Sequence, residues 1–122
     1  MRVLLSIKPE YVERIFSGKK MYEFRRVIFR NPEIKTIVLY ASSPIQKVVG
    51  EITIERIIYD RLNTLWQTTR QQAGISEENF YQYFKDRSFG YAIKIEGTKK
   101  YHRPMSIQDH FGIVPPQSFV YV

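Results

Sequence analysis

The chain has 122 residues, of which 43% are hydrophobic and 25% are charged; these values are typical of a single globular domain and exclude a disordered chain. Its net charge of +7 favours polyanionic partners such as nucleic acid. No apolar run approaches the roughly 20 residues that cross a bilayer, and Met1–Ser6 is too short for a signal peptide, so we expect a cytoplasmic protein without a membrane segment.

The residues that usually hold metals are scarce. Cysteine is absent, which excludes a disulfide framework, a thiol nucleophile and a cysteine metal site. The two histidines, His102 and His110, are too few for zinc, which usually takes three or four protein ligands. We therefore expect neither a metal nor a cofactor.

The N-terminal part of the chain predicts a strand, a helix and a sharp turn. Val3–Ile7 is a short apolar run, and Pro9 suits the first position of a helix. Four apolar residues at helical spacing form the buried stripe of that helix: Tyr11, Val12, Ile15 and Phe16. Gly18 stands where the helix ends, because glycine adopts positive φ without steric cost.

The residues after Gly18 alternate as in a strand. Tyr22 and Phe24 fall on one face, and Glu23 and Arg25 fall on the other. With Lys20 just before it, the polar face carries two cations and one carboxylate, which is more charge than a solvated strand needs. This segment is our candidate site; the alternative is a surface ion pair between Glu23 and Arg25.

The rest of the chain predicts further strands, two successive helices and a basic cluster. Gly50 is expected to be a bulge or a bend in a long strand. Gly97-Thr98 is expected to end another strand before the basic residues Lys99–Pro104, which are typical of a solvated sheet edge. The predicted elements are strands Thr36–Tyr40, Lys47–Tyr59, Phe89–Glu96 and Ser118–Val122, helices Leu62–Gln72 and one beginning at Ser76, and a helical turn in Met105–Phe111.

The spacing Gly18-x-Lys20-x-x-Glu23-x-Arg25 resembles the G-x-K-x-x-E-x-R signature of the ASCH domain family, which belongs to the PUA-like fold group. Other segments look like the branch described as predicted transcriptional regulators: Leu5–Pro9, Tyr40–Pro44, Val49–Ile52, Tyr91–Ile95 and Pro115–Phe119. The resemblance implies one α+β domain over residues 1–122. Its fold would be a small PUA-like mixed β-barrel of five or six strands, with an early helix and a later helical pair.

A barrel of this size is filled by its own side chains, so a ligand must bind in a surface cleft beside the first helix and the signature strand. Lys8, Lys20 and the two arginines would neutralise phosphates, while Glu23 and the hydroxyl turn would hydrogen-bond a base edge. In the resembling proteins the turn after the third strand lies near the signature, which makes Tyr40, Ser42 and Ser43 candidate ligand contacts. The polar C-terminal tail is also expected to return beside the signature. The candidate ligand-binding residues are Lys8, Lys20, Glu23, Arg25, Arg26, Tyr40, Ser42, Ser43, Gln117 and Ser118.

The first functional hypothesis is a nucleic-acid binding module, for RNA or a nucleotide, with a possible regulatory role beside a DNA-binding partner. The alternative is an amidohydrolase, because one ASCH-like branch removes the acetyl group from acetylated cytidine. There Lys20 and Glu23 would be catalytic, although Glu23 replaces the threonine of that branch. That branch also uses a glutamate from the later helical region. In this chain Glu77 and Glu78 lie near the matching position but not at it. A protein-interaction domain is the third possibility, and no helix-turn-helix is visible.

Overall fold

The computed structural model describes residues 1–122, which form one curled six-stranded sheet with four helices. The strands follow the order β2-β5-β4-β3-β1-β6; β1 and β3 are parallel, and every other neighbouring pair is antiparallel. The sheet is curled into a half-barrel, which confirms the α+β, PUA-like small barrel that the family resemblance implies. The elements are β1 Val3–Ile7, α1 Pro9–Phe16, β2 Tyr22–Arg25, β3 Thr36–Ala41, β4 Lys47–Arg61, α2 Leu62–Thr69, α3 Glu77–Tyr83, β5 Phe89–Met105, α4 Ile107–Phe111 and β6 Phe119–Tyr121.

Three apolar clusters divide the two faces of the sheet. The largest lies inside the curl and includes Leu5, Leu39 and the buried side of α1. A second, around Phe80 and Trp66, packs α2 and α3 on the outer face of β2 and β5. The third, covered by α4, takes the alternate residues of β1 and β3. Both faces of the central strands are therefore buried, which explains their continuous apolar sequences.

The two longest strands bend at irregularities in their pairing. The register between β4 and β5 shifts at three places, and the first of them lies between Val48 and Gly50. A side chain at Gly50 would collide with Phe16 and with the carbonyl of Lys99, so the predicted bulge is confirmed. The prediction that Gly97-Thr98 ends a strand is wrong, because both residues pair with β4 and β5 continues to Met105. Glycine is tolerated there as part of a curled strand.

The turn before the signature strand is held from both sides. Gly18 has φ +81, the left-handed conformation expected after a helix end. The Met21 N–H donates to the carbonyl of Gln72 at 2.8 Å, and the Met21 carbonyl accepts from Ile95 N–H at 2.9 Å. The chain after α2 is thus tied to the start of β2.

The later short elements follow their predicted signals. The Ser76 hydroxyl accepts from Asn79 N–H and begins α3, and Ser106 caps α4 in the same way. α4 ends at Gly112, whose φ is +68. The predicted Leu62–Gln72 helix stops as an α-helix at Thr69 and finishes as a 3-10 turn. None of the helices is long and apolar enough to span a membrane.

Candidate functional site at the seam of the curled sheet

A cleft of about 930 Å³ lies at the seam where the two edges of the curled sheet approach each other. β2 forms one edge, and the end of β1 with the start of β6 forms the other. The Arg25 guanidinium bridges the seam and donates from Nη2 to the carbonyl of Ser6 at 3.1 Å. We call this space the seam cleft. Eight of the ten predicted site residues line it: Lys8, Lys20, Glu23, Arg25, Arg26, Ser42, Gln117 and Ser118.

Lys20 is among the largest fully buried side chains of the protein, with 1% of its surface exposed. Its ammonium Nζ donates to the carbonyl of Ala73 at 2.9 Å and lies over the rings of Phe24 and Tyr11, at 4.8 and 5.2 Å from their centroids. Burial lowers the pKa of Lys20 from 10.5 to about 8, against the opposing effect of the Glu23 carboxylate. A lysine in this state carries a readily lost proton.

Glu23 and Arg25 form a pair on the cleft floor, where 7% and 12% of their side-chain surfaces are exposed. The alternative of a surface ion pair is therefore wrong. Arg25 Nε lies 3.6 Å from Glu23 Oε2, which is too far for a good hydrogen bond, and this buried N–H has no acceptor in the protein. The hydrogen-bonding capacity of this arginine is therefore not fully used within the protein.

The C-terminal tail returns beside the signature, as expected. The Ser6 hydroxyl donates to the carbonyl of Pro116 at 2.6 Å, and Ser6 N–H donates to the carbonyl of Ser118 at 3.2 Å. Ser42 N–H donates to the carbonyl of Ile7 at 2.9 Å, which brings the hydroxyl turn to the same edge. β1 therefore collects both polar segments at the seam.

Two predicted residues are not brought to the seam cleft. Tyr40 is buried beside Leu4 and Val38, because side chains alternate along β3 and it is Ile37, Leu39 and Ala41 that point into the curl. Ser43 is exposed in the turn and does not line the cleft. Glu77 and Glu78, the carboxylates considered for an amidohydrolase, are also exposed and outside it.

The structure adds residues that sequence reasoning missed. Tyr11 belongs to the predicted stripe of α1, but it lines the cleft, and burial raises its pKa. α3 and the residues after it form a wall that includes Tyr83 and Arg87, and the guanidinium of Arg26 lies 4.9 Å from the Tyr83 ring centroid. Nothing in the sequence connects α3 with β2. The contact arises because α3 packs on the outer face of the sheet next to the β2 edge.

Positive charge dominates the seam cleft. Two carboxylates line it, Glu10 and Glu23. Five cationic side chains line it: Lys8, Lys20, Arg25, Arg26 and Arg87. No three His, Asp or Glu side chains of the protein are grouped so that they could hold a metal ion. A mixed site with a cationic excess suits a ligand that combines phosphate with polar base edges.

Known proteins of similar sequence match this chain over nearly its whole length. The model of a family described as a domain of unknown function (DUF365) matches residues 1–115. An ASCH domain-containing ribonuclease from Zymomonas mobilis is 30% identical over 123 residues, which cover 98% of this chain and 82% of that protein. The ATP synthase subunit alpha of Ureaplasma parvum is 28% identical, and the chain spans only 15% of its length.

A solved structure agrees with the sequence comparison. The crystal structure of ASCH from Zymomonas mobilis superposes with a TM-score of 0.90 at 30% identity and covers 99% of this chain and 87% of its own. Sequence and fold thus match along nearly the whole length of both chains. The chain therefore belongs to the ASCH domain family and has a PUA-like fold.

Proposed function

We propose that this protein binds RNA in the seam cleft and cleaves it. The observation that carries the proposal is the cleft itself, in which five cations face two carboxylates and a buried arginine N–H lacks an acceptor. Its volume falls in the range of about 300–1,000 Å³ that is common for small-ligand sites. The Zymomonas relative, which is named a ribonuclease, supports RNA as the substrate.

Binding is divided between exposed and buried cations. Lys8 and Arg26 are exposed at the cleft margin and would hold phosphates by charge and counterion release. Arg25 lies deeper, and its guanidinium would hold the phosphate that reacts by charge and hydrogen bonding. Ser42 and Ser118 offer hydroxyl groups to a base or a ribose at the opposite edge.

The reaction would be transfer of the phosphodiester to the neighbouring ribose 2′-oxygen. The Glu23 carboxylate would accept the 2′-hydroxyl proton as the oxygen attacks phosphorus, and the bond from phosphorus to the 5′-oxygen would break. The Lys20 ammonium would give its proton to that leaving oxygen, for which a pKa of about 8 is well placed. Arg25 would stabilise the charge on the phosphoryl oxygens. The products are a 2′,3′-cyclic phosphate and a 5′-hydroxyl.

Cleavage of a labelled single-stranded RNA, assayed in Mg²⁺ and in EDTA, tests the proposal. Glu23→Gln and Arg25→Lys should each lower the rate by about 100-fold or more. The first variant loses the proton acceptor, and the second loses the guanidinium that stabilises the phosphate. Lys99→Ala, which removes an exposed lysine outside the cleft, is the matched control and should keep wild-type activity. Unchanged rates in both cleft variants, or equal cleavage of the matching DNA, would reject this mechanism.

A regulatory role beside a DNA-binding partner and a cytoplasmic location are further predictions from the family resemblance. Duplex DNA in a parallel titration tests the first of them. Preference for single-stranded RNA by tenfold or more is expected if the cleft reads unpaired bases. Tighter binding of duplex DNA would favour a role at promoters instead.

A further inference from the structure

A second groove of about 670 Å³ opens beside the seam cleft and carries a patch of exposed aromatic rings. It shares Arg26, Val27 and Arg87 with the cleft, so the two spaces adjoin at these residues. We call the rings of Tyr59, Phe89 and Tyr91 the aromatic shelf.

The shelf is built by strand pairing. Tyr59 on β4 is paired with Tyr91 on β5, and Tyr91 is paired on its other side with Arg25 of β2. Because paired residues share a face of the sheet, this row leads from the cleft floor to the shelf. The Tyr59 and Phe89 rings are stacked, with centroids 5.3 Å apart and planes at 16°, and the Tyr91 ring lies 4.5 Å from Tyr59.

Two of the three rings, Tyr59 and Phe89, are exposed, and Tyr91 is partly buried. Tyr59 exposes 57% of its surface and Phe89 36%, and no helix covers them, whereas the equivalent rings on the outer face of the sheet are buried under α2 and α3. Adjoining exposed rings form a contiguous apolar patch, which is a feature of interaction sites.

The charge around the shelf restricts its partner. Arg26, Arg30 and Arg87 line the groove, and no carboxylate does. Arg61 lies over the Phe89 ring, 5.0 Å from its centroid. Aromatic faces beside unpaired arginines are the combination that holds single-stranded nucleic acid, since bases stack and phosphates pair with the cations.

We propose that the aromatic shelf stacks bases of the single-stranded RNA that leaves the seam cleft, with Arg26 and Arg87 holding the phosphates between the two sites. This inference rests on the proposed function, because the shelf is a continuation of that binding path. The contacts involve ring faces and not base edges, so the shelf should bind without strong sequence preference. RNA longer than the cleft should therefore bind more tightly than a dinucleotide.

Fluorescence anisotropy with two labelled RNAs, a dinucleotide and a decamer, tests the shelf. Both carry 2′-O-methyl groups, so that they bind without being cleaved. Tyr59→Ala is expected to weaken decamer binding by about tenfold and to leave dinucleotide binding unchanged. Tyr59→Phe, which keeps the ring, should bind as the wild type does. Tyr81→Ala, which removes an exposed tyrosine outside both grooves, is the matched control.

The outcomes separate the shelf from the cleft. Suppose that the wild type binds both RNAs, and that neither Tyr59→Ala nor Phe89→Ala lowers the affinity for the decamer. RNA binding by the shelf is then refuted, while RNA binding in the cleft is retained. If the wild type binds neither RNA, both proposals fail. If the wild type forms a concentration-dependent dimer in sedimentation that Tyr59→Ala abolishes, the rings are a protein interface and the shelf is refuted.

Discussion

Raising the pH above neutrality should stabilise this protein through Lys20. The pKa of the buried ammonium is lowered from 10.5 to about 8, so the folded state gives up this proton more readily than the unfolded chain. Below pH 8 the folded protein carries the full penalty of a buried charge. Between pH 8 and 10.5 the unfolded chain binds more protons than the folded one, and the free energy of unfolding therefore rises with pH.

The size of the effect follows from the shift. The difference between a pKa of 10.5 in the unfolded chain and about 8 in the folded protein corresponds to about 3 kcal/mol when the titration is complete. By pH 9.5, about 2 kcal/mol of this should have been recovered. For a domain of this size that change moves the midpoint of urea unfolding by about 1 M.

Urea unfolding of the wild type and of Lys20→Met at pH 7 and pH 9.5 measures the effect. The variant has no amine to titrate, so the wild type should gain about 2 kcal/mol relative to it across this interval. Lys19→Met, at the exposed neighbouring lysine, is the matched control and should follow the wild type. Parallel stabilities of the wild type and Lys20→Met at the two pH values would show that Lys20 is not buried as a cation.

Four further predictions concern catalysis, packing and binding. RNA cleavage should fall about tenfold per pH unit above pH 8, because only the ammonium form of Lys20 can donate a proton; a flat profile to pH 9.5 would contradict this role. Gly74→Ala should cost about 2 kcal/mol in thermal unfolding, because φ is +69 and the methyl group overlaps Lys20, whereas Gly97→Ala, with open space around it, should cost far less. Ser76→Ala should cost about 1 kcal/mol by removing the cap of α3. Lys8→Ala should reduce the salt slope of RNA binding by about 0.7, and an unchanged slope would remove Lys8 from the phosphate contacts.

Local signals in the sequence were sufficient for most of the fold. Gly18 marked the helix end, Ser76 marked a helix start, and the alternation of β2 placed Glu23 and Arg25 together. These signals are local because they depend on backbone preferences and on a side-chain period of two or 3.6 residues. The strand end predicted at Gly97 was wrong, because a glycine within a curled strand looks the same in sequence as one that ends a strand.

The sequence by itself determined the family, the order of the elements, the positive charge and the residues of the signature. Only the tertiary structure decided what those residues face. Curling of the sheet brings β2 to the edge of β1 and β6, buries Lys20 and makes a cleft with Arg87, which lies far away in the chain. The bulges that set this curl also decide which rings of β4 and β5 remain exposed, and strand alternation turned Tyr40 away from the cleft. Such outcomes depend on long-range pairing and closure, which no local periodicity specifies.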